Sequence, residues 1–402
     1  MTTVERAARG RWGVAAFFAA NGFVMGAWAP QIPLLLPRHE ITETTLGILI
    51  FGLGVGAVGS MFFAGRLIGR FGSRRVARAF ALAAVPVLPM IVFAPSLWVL
   101  APVMALFGAM AGCMDVAMNA SAVQVERGLG RAIMSSSHGF WSLGGFFGGT
   151  AGTYAISLFG AETQSILVAL VALTLVLWGM GRLVEDEAPL ARAGAEAGHA
   201  ARPAALIPRD LALWLLGAMA LFSMVPEGAV LDWAALYLGR ELDSGLLMSG
   251  LAFAFFSGSM AIMRFLGDAV RNRFGAVITL RASGAIGAAG MMLAAVAPAD
   301  WIAILGFALT GIGVANMVPI LFSAAGNHEG LPSAQAISVV TMVGYAGILV
   351  APAPIGYVAE HLGYRLTFFV LALLLLVVAL MAHRAAAADR LQGVALRSGR
   401  QD

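Results

Sequence analysis

Twelve apolar runs, each of roughly 18 to 28 residues, divide this sequence, and that is the length an α-helix needs to cross a hydrocarbon core of about 30 Å. They fall near residues 11–36, 45–69, 77–94, 97–125, 133–160 and 163–182, and again near 210–238, 245–270, 276–297, 300–325, 333–359 and 365–383. Residues 184–209 between the two sets are charged and rich in Ala and Pro, the composition of a solvated linker. The pattern predicts an all-α membrane protein of twelve transmembrane helices in two six-helix halves, 1–183 and 210–384. The linker 184–209 joins them, and a polar tail, 385–402, follows that is expected to be mobile after a helical start. With 60% hydrophobic and 11% charged residues, the chain departs far from soluble proteins, in which about 25% of residues are charged.

Charge placement gives the spans a direction. Every basic residue is arginine, and threading the spans with the N-terminus inside puts 22 of the 25 on the cytoplasmic side, leaving Arg38, Arg240 and Arg365 outside. The excess of arginine in inner loops fixes both termini and the linker as cytoplasmic. A net charge of +4 spread over short loops is not a nucleic-acid footprint, so the expected partners are the bilayer, a small solute and protons. The basic N-terminus leads into a long first span rather than a cleavage site, and reads as helix 1. The one cysteine, Cys113, excludes an intrachain disulfide. No metal-ligand spacing, phosphate loop or nucleophile elbow occurs, so no cofactor and no enzyme activity are expected.

The halves repeat each other after their second helices, where GRLIGRFGSRR (65–75) corresponds to MRFLGDAVRNRFG (263–275). Parallel repeats are a transporter signature. The pattern resembles the major facilitator superfamily, and that resemblance implies conformational-switch loops whose charges hold and release the cytoplasmic helix ends. The first copy keeps Gly65, Arg70, Gly72, Arg74 and Arg75 but has Gly69 in the usual aspartate position; the second keeps Asp268 with Arg264, Arg271 and Arg273. The segments GCMDVAMNASAVQVERG, SSSHGFWSLGG, PEGAVLDWAALYL and GIGVANMVPILFSAAG on helices 4, 5, 7 and 10 resemble the fucose:proton symporter branch, and within it the MosC/YbjJ-like group.

Ionisable groups at membrane depth cost roughly 2.5 to 3.5 kcal/mol on insertion scales and are functional candidates by default. Asp115 lies about 16 Å from the cytoplasmic end of helix 4 at 1.5 Å per residue, with Asn119 at i+4 on the same face. The resemblance makes Asp115 a proton carrier; a helix–helix hydrogen bond is the structural alternative. Glu227 follows Pro226 on helix 7, where the proline is expected to open the helix toward a cavity. Asp232 stands near the outer interface as a gate or anchor. His138 on helix 5 suits proton relay or hydrogen bonding to a polyol. Asn21 and Trp28, at i and i+7 on helix 1, with Gln31 a turn on, make an expected inward face for a sugar-like ligand. Trp141, Asn316 and Tyr345 are further substrate candidates.

With at least two carboxyls inside and no cation placed there, the interior is expected to favour neutral polyols or cations over anions. These features predict a secondary active transporter of a sugar, cyclitol or amino-cyclitol. It would act as a proton-coupled symporter by alternating access, as a monomer, in a bacterial inner membrane. The rival is a proton-coupled efflux antiporter. Such transporters usually carry an arginine in helix 4 and a Gly-Pro pair in helix 5, and GFWSLGGFFGGTAGTY has the glycines without the proline.

Overall fold

Long apolar sequences in lipid must satisfy every backbone group internally, which helices do, and in the computed structural model the described residues, 3–185, 210–244 and 246–390, form helices joined by short turns, with no strand among them. The linker at 186–209 and the end of the tail at 391–402 lie outside these residues. The first six helices are α1 Thr3–Trp28, α2 Glu43–Phe71, α3 Ser73–Val92, α4 Leu97–Leu129, and α5 and α6, the two limbs of Met134–Met180. The second six are α7 Leu211–Glu241, α8 Leu246–Phe274, α9 Ala276–Ala295, α10 Asp300–Gly326, α11 Ser333–Val350 and α12 Tyr364–Met381.

Among the described residues, eleven helical segments are long and apolar enough to span a membrane. The twelfth is hidden in Met134–Met180, where Gly160 has φ +82° and ψ 168° and turns the chain between α5 and α6 without a loop. Only glycine takes that backbone conformation cheaply, so among the described residues the count of twelve stands.

The chain packs as two units. One is drawn from Met1–Leu129, Ser137–Asp210 and Glu329–Ser338, the other from Gly130–Ser136, Leu211–His328 and Val339–Asp402. The first turn of α5 thus belongs to the second unit and the first turn of α11 to the first. Within each unit, glycines let helices approach closely. A Cβ at Gly56 would lie 2.1 Å from the carbonyl oxygen of Ala105, so α2 and α4 meet backbone to backbone. Gly22 and Gly26 on α1 face Trp141 and Gly145 on α5 in the same way.

Two of the outer arginines are tied down. Arg38 donates to the carbonyl of Val92 at 2.9 Å and pairs with Glu162 at 3.0 Å. Arg365 pairs with Glu241 and donates to the carbonyls of Ala295 and Ala297 at the end of α9. At the other end of α12, Ala382–Asp389 forms a 3-10 helix whose Asp389 carboxylate accepts from the backbone N–H groups of Ala276 and Val277.

Candidate polar sites in the two units

In the first unit, the close approach of α1 and α5 brings Trp141 to Asn21, and the indole N–H donates to the Asn21 side-chain oxygen at 2.9 Å. One turn along α5, His138 Nε2 lies 3.2 Å from Asn119 Oδ1, with the edge of Phe18 against the imidazole. The Asn119 amide in turn donates to the Asp115 carbonyl one turn back on α4, at 2.9 Å. Asp115 is 5% exposed, and its Oδ2 has no hydrogen-bond partner among the described residues. Helices α1, α4 and α5 therefore converge on five of the polar residues singled out from the sequence. The space beside Asn21, lined also by Met25, Phe107 and Met114, measures about 20 Å³, room for about one water.

Two expected ligand residues on helix 1, Trp28 and Gln31, are engaged in packing and hydrogen bonds within the first unit. Helix α1 ends at Trp28 and tightens into a 3-10 turn over Ala29–Leu34, so the helical spacing that placed Gln31 beside Asn21 no longer holds. Gln31 is fully buried and donates to Gln164 Oε1 at 2.6 Å and to the Ala161 carbonyl, while Gln164 donates to the Ala27 carbonyl. Trp28 is packed edge-to-face on Phe107 within the apolar core that includes Leu100 and Met104.

In the second unit, α7 runs unbroken through Pro226, contrary to the opening expected there. The break is in α10 instead. Pro319 has no N–H to offer the Ala315 carbonyl, and the helix divides into Asp300–Val314 and Met317–Gly326 with Asn316 at the junction. The Asn316 side chain is fully buried, and neither its amide oxygen nor its nitrogen has a partner among the described residues. It lies against Gly267 of α8, where a Cβ would come within 1.7 Å of its oxygen.

One turn before Gly267, Arg264 is buried and its guanidinium stands 3.5 Å from the Glu227 carboxylate. Arg264 is thus not a loop residue. It lies ten residues before the helix end at Phe274, about 15 Å at 1.5 Å per residue, and puts a positive charge in the interior where none was expected. Asp232 is exposed on α7 and Tyr345 is half-buried on α11.

The two copies of the repeated loop differ in construction. In the second, both Asp268 carboxylate oxygens accept backbone N–H groups at the start of α5, from Ser135 and Ser136, each at 2.9 Å. Arg271 donates to Ser323 Oγ at 2.7 Å and to the Ala388 carbonyl at 2.8 Å. In the first, Gly65 is packed so closely that a Cβ would be 2.9 Å from the Gln335 Cα, and Ser338 donates to the Met61 carbonyl. Arg74 pairs with the exposed Glu185, and Arg70 and Gly69 are exposed.

Twelve helices in two repeated sets, with polar side chains at membrane depth and arginine-rich loops after the second helix of each set, define a membrane transporter rather than an enzyme. The sequence profile of the Major Facilitator Superfamily matches residues 13–330, and the chain belongs to that family. It is 34% identical over 368 residues to an uncharacterised MFS-type transporter of Yersinia pestis, covering 92% of this chain and 93% of the relative. It is 32% identical over 361 residues to the membrane protein MosC of Rhizobium meliloti, covering 89% and 86%. The crystal structure of the E. coli fucose:proton symporter FucP shares its fold, with a TM-score of 0.69 at 14% identity over 96% of this chain and 99% of that one.

The residues that sequence reasoning missed each had a weak signal. Pro319 four positions after Ala315 marks the break that places Asn316 at a helix junction, and Gln164 could be matched to Gln31 only once α6 was placed. Arg264 was hidden by its resemblance to a loop motif.

Proposed function

We propose that the chain moves a small neutral or cationic polar solute, of the sugar, cyclitol or amino-cyclitol class, across a bacterial inner membrane by alternating access coupled to protons. Symport fits best. The observation that carries this reading is Asp115: a carboxyl group buried at membrane depth, with one oxygen unpartnered among the described residues and its backbone tied through Asn119 to His138. Charged and neutral carboxyls differ by several kcal/mol in the cost of residing there, so loading a proton changes which orientation is favoured. Asn21 and Trp141, already hydrogen-bonded to each other, offer an aromatic face and a polar edge of the kind that hydroxylated rings use. Glu227 is the second candidate carboxyl, and His138 is placed to relay or to bind.

Uptake into proteoliposomes under an imposed pH gradient tests the coupling. Asp115→Asn is expected to abolish gradient-driven accumulation while solute exchange at equal pH persists, and Glu227→Gln to reduce it. Accumulation that survives both substitutions overturns proton coupling at these groups.

A further inference from the structure

One side of α12 is apolar from end to end: Leu366, Phe369, Leu373, Leu376 and Leu380 stand exposed on a single face, as a surface turned to lipid does. At the edge of that face, Val370 leads into a groove of about 500 Å³ inside the second unit. The groove is lined on α12 from Thr367 to Leu374, on α7 by Leu221 and Val225, and on its other side by α11 and the limb that follows it, Pro352–Leu362. The sequence makes it in two ways. The helix breaks at Ala351, with Pro352 opening the new limb at its first position, and Ala346, Gly347 and Ala351 leave that side almost bare of side chains. Gly347 is also where α11 presses on α7, since a Cβ there would lie 2.7 Å from Leu221 Cγ.

We propose that this groove is a binding site for one acyl chain of a membrane phospholipid. Its chemistry excludes polar occupants. Among the described lining residues only Thr367 has a polar side chain, and its hydroxyl already donates to the Gly363 carbonyl at 3.0 Å. A sugar or a water would enter with its hydrogen bonds unmet, so the groove takes no part in the transport reading. Its size suits one chain: at the roughly 30 Å³ that a water-sized group occupies in a liquid, 500 Å³ holds about sixteen methylenes. Its depth suits one leaflet. Leu374, at the deep end, is ten residues into α12 from Tyr364, about 15 Å at 1.5 Å per residue and half of a hydrocarbon core of about 30 Å. At the other end of the groove the Pro352–Leu362 limb carries Tyr357 and His361, exposed and stacked with ring centroids 4.2 Å apart, amphipathic rings of the kind that lie at headgroup level. The groove is thus continuous with the lipid-facing surface of α12, and one chain of a phospholipid enters it while the other stays in the bilayer. On the expected topology the lipid belongs to the outer leaflet.

The test is photolabelling of the full chain in phospholipid vesicles that contain a small share of phosphatidylcholine with a diazirine midway along one acyl chain, the adducts being mapped by peptide mass spectrometry. A chain held in place meets the same side chains at every flash, so adducts on the groove residues Val350, Ile355, Val370 and Leu374 are expected to exceed severalfold those on Phe369 and Leu373, which share the helix and the depth but not the groove. Ala346→Phe and Ala351→Phe each put a ring into the space and should lower the groove adducts about fivefold or more, leaving those on Phe369 and Leu373 unchanged. Loss of the control adducts would reveal a misfolded variant, and Val370→Trp then fills the groove from its exposed rim, where no packing is strained. Groove adducts no more frequent than the controls in the wild type, or undiminished in a folded, filled variant, overturn the site. Groove adducts that fall as the protein-to-lipid ratio rises would show a second copy of the chain covering the groove, and overturn it as well.

Discussion

The two copies of the repeated loop began as one sequence pattern and now hold their helices by different means. In 263–275 a carboxylate does the holding: Asp268 takes two backbone N–H groups at the start of α5, donors that a helix cannot satisfy itself and whose partial positive charge favours an anion. In 65–75 the equivalent position is Gly69, and small residues replace charge, with Gly65 against Gln335 and Ser338 bonded to the Met61 carbonyl. The helices held are equivalent as well: the first turn of α5 is grouped with the second unit and the first turn of α11 with the first. One fastening is electrostatic and can be tuned by charge; the other is steric and can be tuned only by volume.

Breaking the electrostatic copy should have the largest effect. Asp268→Ala strands two buried donors and is expected to lower stability by about 3 kcal/mol, measured by thermal unfolding in detergent, and to slow or uncouple transport; a loss under about 0.5 kcal/mol would show that the carboxylate is dispensable. The steric copy should respond to size. Gly65→Leu forces apart α2 and the start of α11, at a cost of about 1 to 3 kcal/mol, whereas the same change at Gly69, where a Cβ meets nothing within 4 Å, should be nearly silent.

Converting one copy into the other is the sharper experiment. Gly69→Asp has room for its side chain, and if charge can replace volume it should stabilise the protein by about 0.5 to 2 kcal/mol, the worth of a helix cap, and partly rescue Asp268→Ala. No rescue would mean that the first loop cannot present a carboxylate to a helix start. The smallest effect belongs to Arg74→Gln, which breaks a pair with a carboxylate that is 85% exposed and should change stability by under about 1 kcal/mol.

The division between what the sequence disclosed and what it concealed follows the physics of lipid. Span length and repeats are set by the bilayer and can be counted, so the twelve helices were legible. The face a side chain occupies was not. In soluble helices the polar stripe marks the outside, but a membrane helix is apolar all round, and spacing alone could not say that Trp28 would join a core with Phe107 while Asn21 met Trp141. The surroundings of Gln31 were hidden for a local reason, the tightening of the chain after Trp28. Arg264 shows the opposite difficulty: an arginine within a loop motif was assigned with the switch loop, and only the helix end at Phe274 reveals how far from that end it stands.

The outer arginines carry a consequence for how the protein sits in its membrane. Arg38 and Arg365 are each paired with a carboxylate and turned onto backbone carbonyls, so much of their charge is spent within the protein before any lipid headgroup can meet it. The inner face keeps exposed arginines such as Arg70 and Arg75. Seen by anionic phospholipids, the molecule is therefore more one-sided than its residue count suggests: a body whose cytoplasmic rim attracts acidic headgroups and whose opposite rim is close to electrically quiet at the positions of Arg38 and Arg365.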